Sequence, residues 1–102
     1  MKRLVFSSVF EADFAEITAQ LAAVSSPEVS LRWEQAVIRL TELLQKFPEL
    51  GRVRRDLRGP GIGTFVVMEF PNFLLFYRTT ATEIIFLRVR YGGMDLPKMF
   101  SE

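Results

Sequence analysis

Three runs rich in β-branched and aromatic residues follow one another in the second half of the chain. They cover residues 64–70, 73–80 and 83–91, and only Pro71-Asn72 and Ala81-Thr82 separate them. Connections this short join antiparallel neighbours, because a parallel crossover needs a dozen or more residues. The pattern therefore predicts an antiparallel meander, and the rest of the fold must be built around it.

The beginning of the chain predicts a strand followed by a helix. Residues 2–7 are typical of a short strand. Ser8 with Glu11 has the spacing of a capping box, which predicts a helix over residues 9–24. Apolar residues recur along that segment at the spacing of one helical face.

A second helix is predicted directly after the first. Ser26 is suited to cap it and Pro27 to occupy its first position, and Pro48 ends it. Trp33 lies on its apolar stripe and is assigned to the core. The order β-α-α-β-β-β indicates an α+β fold, a single domain over residues 1–102, with a helical hairpin packed on one face of an antiparallel sheet.

The predicted strands are apolar on both faces, although a sheet covered on one side normally alternates apolar and polar residues. One parity gives a face of Phe65, Val67, Phe73, Leu75, Tyr77, Ile85, Leu87 and Val89. The opposite parity gives Val66, Met68, Phe70, Leu74, Phe76, Ile84 and Phe86, with Arg78, Arg88 and Arg90. Since the hairpin covers one face only, the sequence predicts that the C-terminal tail or another protein covers the second.

The composition removes several classes of enzyme. The chain has no Cys and no His, so it has no Cys nucleophile, no Ser-His-Asp triad and no thiolate or imidazole ligand for zinc. We expect no cofactor and no metal. No apolar run approaches the ~20 residues of a membrane span, and the first residues lack the apolar core of a signal peptide. We therefore expect a cytoplasmic protein without membrane contact.

Three motifs stand in a fixed order along the chain. They are Phe47-Pro48-Glu49-Leu50-Gly51-Arg52, the strand end Tyr77-Arg78, and the run from Ile85 through Tyr91-Gly92-Gly93 to Leu96. With the Ser-Pro-Glu start of the second helix, this order resembles the ParE branch of the RelE/ParE toxin superfamily over essentially the whole chain.

The resemblance implies the toxin of a bacterial type II toxin–antitoxin pair. In this branch the toxin inhibits DNA gyrase, or another topoisomerase, without being a nuclease, and the disordered C-terminal segment of the antitoxin folds onto it. We expect no direct nucleic-acid binding. The residues expected to contact the antitoxin are Val66, Met68, Leu74, Phe76, Arg78, Phe86 and Arg88. Those expected to contact the target are Arg90, Lys98, Met99 and Phe100.

Two alternative functions remain open. In a ribosome-dependent mRNA endonuclease of the RelE branch, a catalytic cluster would be drawn from Tyr77, Arg78, Arg88, Arg90 and Tyr91. The competing interpretation places Tyr77 in the core and the three arginines on the partner face. Met94 stands where ParE-like sequences commonly have an arginine, which leaves room for a non-toxic binding remnant of the family.

The segment between the second helix and the meander carries four arginines, at positions 52, 54, 55 and 58. Arginine is suited to planar contacts with carboxylates and phosphates. These side chains therefore either meet an acidic partner or nucleic-acid phosphates, or form local ion pairs with Asp56 and Glu49.

Overall fold

The α+β fold predicted from the sequence is present. The structure, a computed structural model, describes residues 1–57 and 61–93. Its elements are β1 (Arg3–Phe6), α1 (Ser8–Val24), α2 (Pro27–Lys46), a 3₁₀ turn (Pro48–Leu50), β2 (Arg52–Val53), β3 (Gly63–Val67), β4 (Phe70–Thr79) and β5 (Glu83–Tyr91).

The five strands form one sheet in the order β1-β5-β4-β3-β2. The meander β3-β4-β5 is antiparallel, as predicted. The sheet as a whole is mixed, because β1 pairs with β5 in parallel, with Leu4 opposite Ile84. The long connection through both helices and the meander allows this arrangement, and the expectation of a wholly antiparallel sheet is corrected accordingly. Strand β2 was not predicted; its two residues extend the sheet beyond β3.

Serine side chains start both helices, and one differs from the prediction. Ser26 caps α2 as expected, and its Oγ accepts a hydrogen bond from the Val29 N–H at 3.1 Å. The cap of α1 is Ser7 rather than Ser8, with its Oγ 3.0 Å from the Phe10 amide nitrogen. The capping box with Glu11 is therefore wrong, because the residue three positions after Ser7 is an apolar Phe.

The turn between β3 and β4 also differs from the prediction. It lies at Met68-Glu69, where Glu69 has a φ of 72°, and Pro71 and Asn72 belong to β4. Val66 is paired with Leu74, and the next residue, Val67, is paired with Phe70. Residues 71–73 of β4 therefore have no partner on β3. Pro71 therefore lies in a bulge, where its missing N–H costs no ladder hydrogen bond.

The main core lies between the two helices and one face of the sheet. Trp33 is fully buried there, as predicted, and its indole N–H donates to Thr18 Oγ1 at 3.1 Å. The rings of Phe70 and Phe73 meet that indole edge-on, with centroids 5.4 and 5.0 Å away. Phe70 thus faces the helices, on the side opposite to the one predicted for it.

A register shift in the sheet exchanges the faces of β5 up to Leu87. Tyr77 is paired with Phe86 rather than with Leu87, since the register slips by one residue between Phe76 and Tyr77. Consequently Ile84 and Phe86 are fully buried under the helices, while Leu87 packs against the cluster on the second face. The faces predicted for these residues are wrong because a bulge reverses the alternation that the sequence pattern assumed.

Candidate functional site

The second face of the sheet, which points away from the helices, is partly covered by the chain itself. Leu57 and Ile62, from the connection between β2 and β3, pack on Phe76, and all three are buried. The Arg54 N–H donates to the Ile62 carbonyl oxygen at 2.8 Å and ties this connection together. The sequence predicted cover by the tail or by another protein, and it missed this contribution.

An open groove of about 630 Å³ lies beside that cover. Val66 and Leu74 are opposite each other on β3 and β4 and form its floor, and Val66 is 41% exposed. Arg52, which is paired with Thr64, and Arg54 form its basic wall. The full lining is Leu50, Arg52, Arg54, Asp56, Thr64, Phe65, Val66 and Leu74.

The two arginines of this wall differ in their partners. Arg54 forms a bidentate ion pair with Asp56, with Nε–Oδ1 at 2.8 Å and Nη2–Oδ2 at 2.5 Å. This hydrogen-bonded pair raises the pKa of Arg54 and lowers the pKa of the Asp56 carboxyl group. The local interpretation thus holds for Arg54. Arg52 is exposed and adds to the positive potential around Asp56.

The arginines at the end of β5 turn toward α1 and not toward the groove. Arg88 Nε lies 2.7 Å from Asp13 Oδ2, and Arg90 Nη1 lies 3.2 Å from Asp13 Oδ1. Asp13 is only 4% exposed, and it also accepts a hydrogen bond from the Val89 N–H at 3.3 Å. The register places Arg88 opposite Phe76 and Arg90 opposite Leu74, on the second face as predicted. The buried carboxylate of Asp13 nevertheless holds both guanidinium groups away from the groove.

The other predicted antitoxin contacts are dispersed. Val66 and Leu74 meet in the groove, and Arg78, opposite Ile85, is half-buried. Met68 lies in the turn after β3 and is exposed. The remaining two, Phe76 and Phe86, are fully buried on opposite sides of the sheet.

Of the predicted target contacts, only Arg90 falls within the described residues. Lys98, Met99 and Phe100 lie outside them, as does Met94. Arg90, Tyr91 and Phe73 line a smaller cleft together with residues of α1. The sequence groups Arg52 with three other arginines as candidate partner contacts or local ion pairs. No local signal places it beside Val66 and Leu74, because that position depends on the pairing of β2 with β3.

The proposed endonuclease cluster does not assemble as a solvent-facing site. Tyr77 is 3% exposed, and its hydroxyl donates to the Pro48 carbonyl oxygen at 2.7 Å and accepts from the Gly51 N–H at 3.0 Å. Burial raises the pKa of Tyr77 further above its ordinary value near 10. Neither a general base nor an exposed donor is available at this position. The interpretation that Tyr77 packs in the core is confirmed.

The described ranges hold neither a cluster of metal ligands nor a membrane-spanning helix. Within residues 1–57 and 61–93, no three carboxylates lie close enough together to hold a metal ion. In the same ranges, neither helix is apolar over a length that would cross a membrane.

Comparison with known proteins decides the family. The family model for the ParE toxin of the type II toxin-antitoxin system parDE matches residues 4–96. The chain belongs to the ParE toxin family. This match covers both helices, four strands in full and β1 from its second residue, so the resemblance seen in the three sequence motifs is confirmed.

Two relatives are informative about this ParE-family chain. Toxin ParE3 of Caulobacter vibrioides is 42% identical over 53 residues, which are 52% of this chain and 49% of the relative. The chain thus matches about half the length of that curated relative. A chain of the chromosomal ParDE TA system from P. aeruginosa superposes with a TM-score of 0.74 at 24% identity, over 89% of this chain and 96% of that one. This likeness supports the fold.

Proposed function

We propose that this ParE-family chain is a non-enzymatic toxin that inhibits DNA gyrase and is neutralised by a cognate antitoxin. The observation that carries the proposal is the family match over residues 4–96. The geometry disfavours the nuclease alternative, because Tyr77, Arg88 and Arg90 are engaged in internal hydrogen bonds. A nuclease needs such groups turned toward the scissile phosphate.

The groove on the second face is the proposed antitoxin site. Its floor of Val66 and Leu74 offers apolar surface, and Arg52 offers an exposed positive charge beside it. Arg78 adds a second cation on the same strand as Leu74. An extended antitoxin segment with apolar side chains and carboxylates at neighbouring positions fits this combination, since charge complementarity steers association and fixes register.

Two of the residues predicted from the sequence to contact the antitoxin are inaccessible to a partner in this structure. Phe76 and Phe86 have no exposed surface, so a partner reaches neither without first displacing other side chains. Arg88 is held by Asp13, and its role as an antitoxin contact stays a prediction, as does the role of Arg90 at the target.

Inducible expression in bacteria tests the proposed function. We expect filamentous cells and a DNA-damage response when the chain is expressed without its antitoxin, and normal growth when the antitoxin is co-expressed. Translation and mRNA integrity are followed in the same cultures. Translational arrest with cleaved mRNA would establish the endonuclease alternative instead. Normal growth at levels where folded protein is detectable would establish the non-toxic remnant.

A purified system separates the two toxic mechanisms further. The protein is added to gyrase in a DNA supercoiling assay and to translating ribosomes in an mRNA cleavage assay. We expect loss of supercoiling that antitoxin restores, and intact mRNA. Unaffected gyrase at a large molar excess of toxin would contradict the proposed target.

A further inference from the structure

The Tyr77 hydroxyl links three parts of the fold that are otherwise joined by few contacts. It lies in hydrogen-bond distance of the Pro48 carbonyl oxygen, just after α2, and of the Gly51 N–H, just before β2. Tyr77 itself belongs to the central strand β4. One buried side chain therefore fastens the segment between α2 and β2 to the middle of the sheet.

Two glycines make room for this side chain. A Cβ at Gly51 would lie 2.3 Å from the Tyr77 Oη, and a Cβ at Gly63 would lie 2.9 Å from the Tyr77 Cζ. The backbone at Gly51 is ordinary extended chain, with φ −73° and ψ 152°. Glycine is therefore needed at position 51 for the close approach of the tyrosine, and not for an unusual backbone angle.

Strand β2 has little else to hold it. It has two residues, Arg52 and Val53, and both are exposed. Its pairing with β3 is confined to Arg52 opposite Thr64 and Val53 opposite Gly63, followed by one backbone hydrogen bond from the Arg54 N–H to the Ile62 carbonyl oxygen. A strand this short without a buried side chain is marginal by itself, so its position depends on the anchor that precedes it.

We infer that Tyr77 is a positioning residue for the antitoxin groove. Its ring lies under the helices, yet its hydroxyl fixes the segment that carries Arg52 and so sets the basic wall of the groove on the opposite face. This inference rests on the proposed function for the identity of the partner, but the anchoring of β2 can be measured on the free protein.

Tyr77→Phe is the test, because it removes the hydroxyl and keeps the ring. Each lost hydrogen bond contributes ~0.5–1.5 kcal/mol to stability. Losing the two bonds should therefore raise the hydrogen-exchange rates of the Gly51 and Arg54 amides about tenfold. Amide exchange followed by NMR gives these rates. Tyr91→Phe is the matched control, since Tyr91 is 51% exposed and should leave both rates unchanged. Equal rates in the wild type and Tyr77→Phe would overturn the inference.

A second experiment measures the rate at which the antitoxin dissociates from the toxin. The antitoxin used is the protein encoded by the short gene beside the toxin gene. We expect the complex with Tyr77→Phe to dissociate about tenfold faster than the wild type, and the complex with Tyr91→Phe to dissociate at the wild-type rate. Val37→Ala, a core change under the helices, provides a variant of lowered stability with the groove intact. If Val37→Ala and Tyr77→Phe speed dissociation equally, the effect is general destabilisation and the inference fails.

The outcomes also separate this inference from the proposed function. If the wild type does not bind the antitoxin at all, the proposed function fails, while the exchange rates still decide whether Tyr77 anchors β2. If the wild type binds and Tyr77→Phe binds identically, only the positioning role fails. Gly51→Ala keeps the tyrosine but places a Cβ 2.3 Å from its Oη, so it should disrupt the same contact, with faster exchange at Arg54.

Discussion

Asp13 and Arg88 lie 75 residues apart in the sequence and form a bidentate ion pair, with Nε–Oδ2 at 2.7 Å and Nη2–Oδ1 at 3.0 Å. Strand β1 pairs with β5 only as far as Phe86, so the outer edge of β5 has no neighbouring strand beyond that residue. The ion pair lies beside this unpaired edge. Asp13 accepts the Val89 N–H there, and the Ser7 hydroxyl donates to the Leu87 carbonyl oxygen at 3.0 Å. The start of α1 therefore closes an edge that would otherwise be open to strand addition.

Asp13→Ala should destabilise the protein by about 3 kcal/mol, because it leaves two guanidinium groups and a backbone N–H without their buried acceptor. Asp13→Asn should cost less, since the amide oxygen still accepts the Val89 N–H. Denaturant unfolding measures both values. Glu16→Ala is the control: Glu16 is largely exposed and 3.8 Å from Arg90, so the change should cost well under about 1 kcal/mol. A similar loss for Asp13→Ala and Glu16→Ala would contradict the buried pair.

Ser7→Ala should lower stability by about 1 kcal/mol, because it removes the cap of α1. It also removes the donor to the Leu87 carbonyl oxygen. Ser8→Ala should be nearly neutral, since Ser8 is an exposed residue of the first turn. Thermal unfolding of the two variants distinguishes the observed cap from the one that the sequence pattern favoured. A larger loss of stability in Ser8→Ala than in Ser7→Ala would contradict the observed cap and support the capping box of Ser8 with Glu11.

The elements of the fold could be predicted because their signals are local. The cap at Ser26, the proline at position 27 and the β-rich runs specify elements within a few residues of themselves. The cap of α1 was ambiguous because two serines stand in succession. Strand β2 could not be predicted, because two exposed residues carry no periodic pattern. Its position depends on a contact between Gly51 and Tyr77, which are 26 residues apart in the sequence.

The candidate site was harder to predict because it depends on register. One bulge at Leu87 exchanges the faces of the preceding part of β5, and it places Phe86 in the main core. Nothing in the local sequence marks that bulge. The cover of Phe76 by Leu57 and Ile62 is likewise a tertiary contact, and so the sequence analysis overestimated the open part of the second face.

The alkaline stability of the protein should depend on Tyr77. Burial raises its pKa above the value of about 10 in the unfolded chain, although the Gly51 N–H bond acts in the opposite direction. As the pH rises, the unfolded state therefore loses the tyrosine proton before the folded state does. The free energy of unfolding contributed by the protonated hydroxyl is fully present below about pH 10 and is lost as the pH rises through the folded pKa. The stability difference between the wild type and Tyr77→Phe should therefore shrink over the range above about pH 10. A constant difference in urea unfolding across that range would refute it, and Tyr91→Phe serves as the reference.

Glu69→Gly should stabilise the turn between β3 and β4. Glu69 has a φ of 72°, a region that costs a residue with a Cβ roughly 1–2 kcal/mol. Glycine relieves this cost but loses more chain entropy, which leaves a net gain of about 0.5–1 kcal/mol and a melting temperature a few degrees higher. Met68→Gly, at the other turn position, should not raise the melting temperature. A lower melting temperature for Glu69→Gly would contradict the assigned turn.

The proposed antitoxin segment occupies the groove between Arg52 and the floor of Val66 and Leu74. Methyl NMR of the toxin during titration with its antitoxin tests this most directly, with Val9 and Ile38, exposed on the helical hairpin, as reference methyls. The account predicts that the largest shift changes occur at Val66 and Leu74 and diminish in Arg52→Gln. Changes confined to Val9 and Ile38, with Val66 and Leu74 unmoved in the saturated complex, would contradict it.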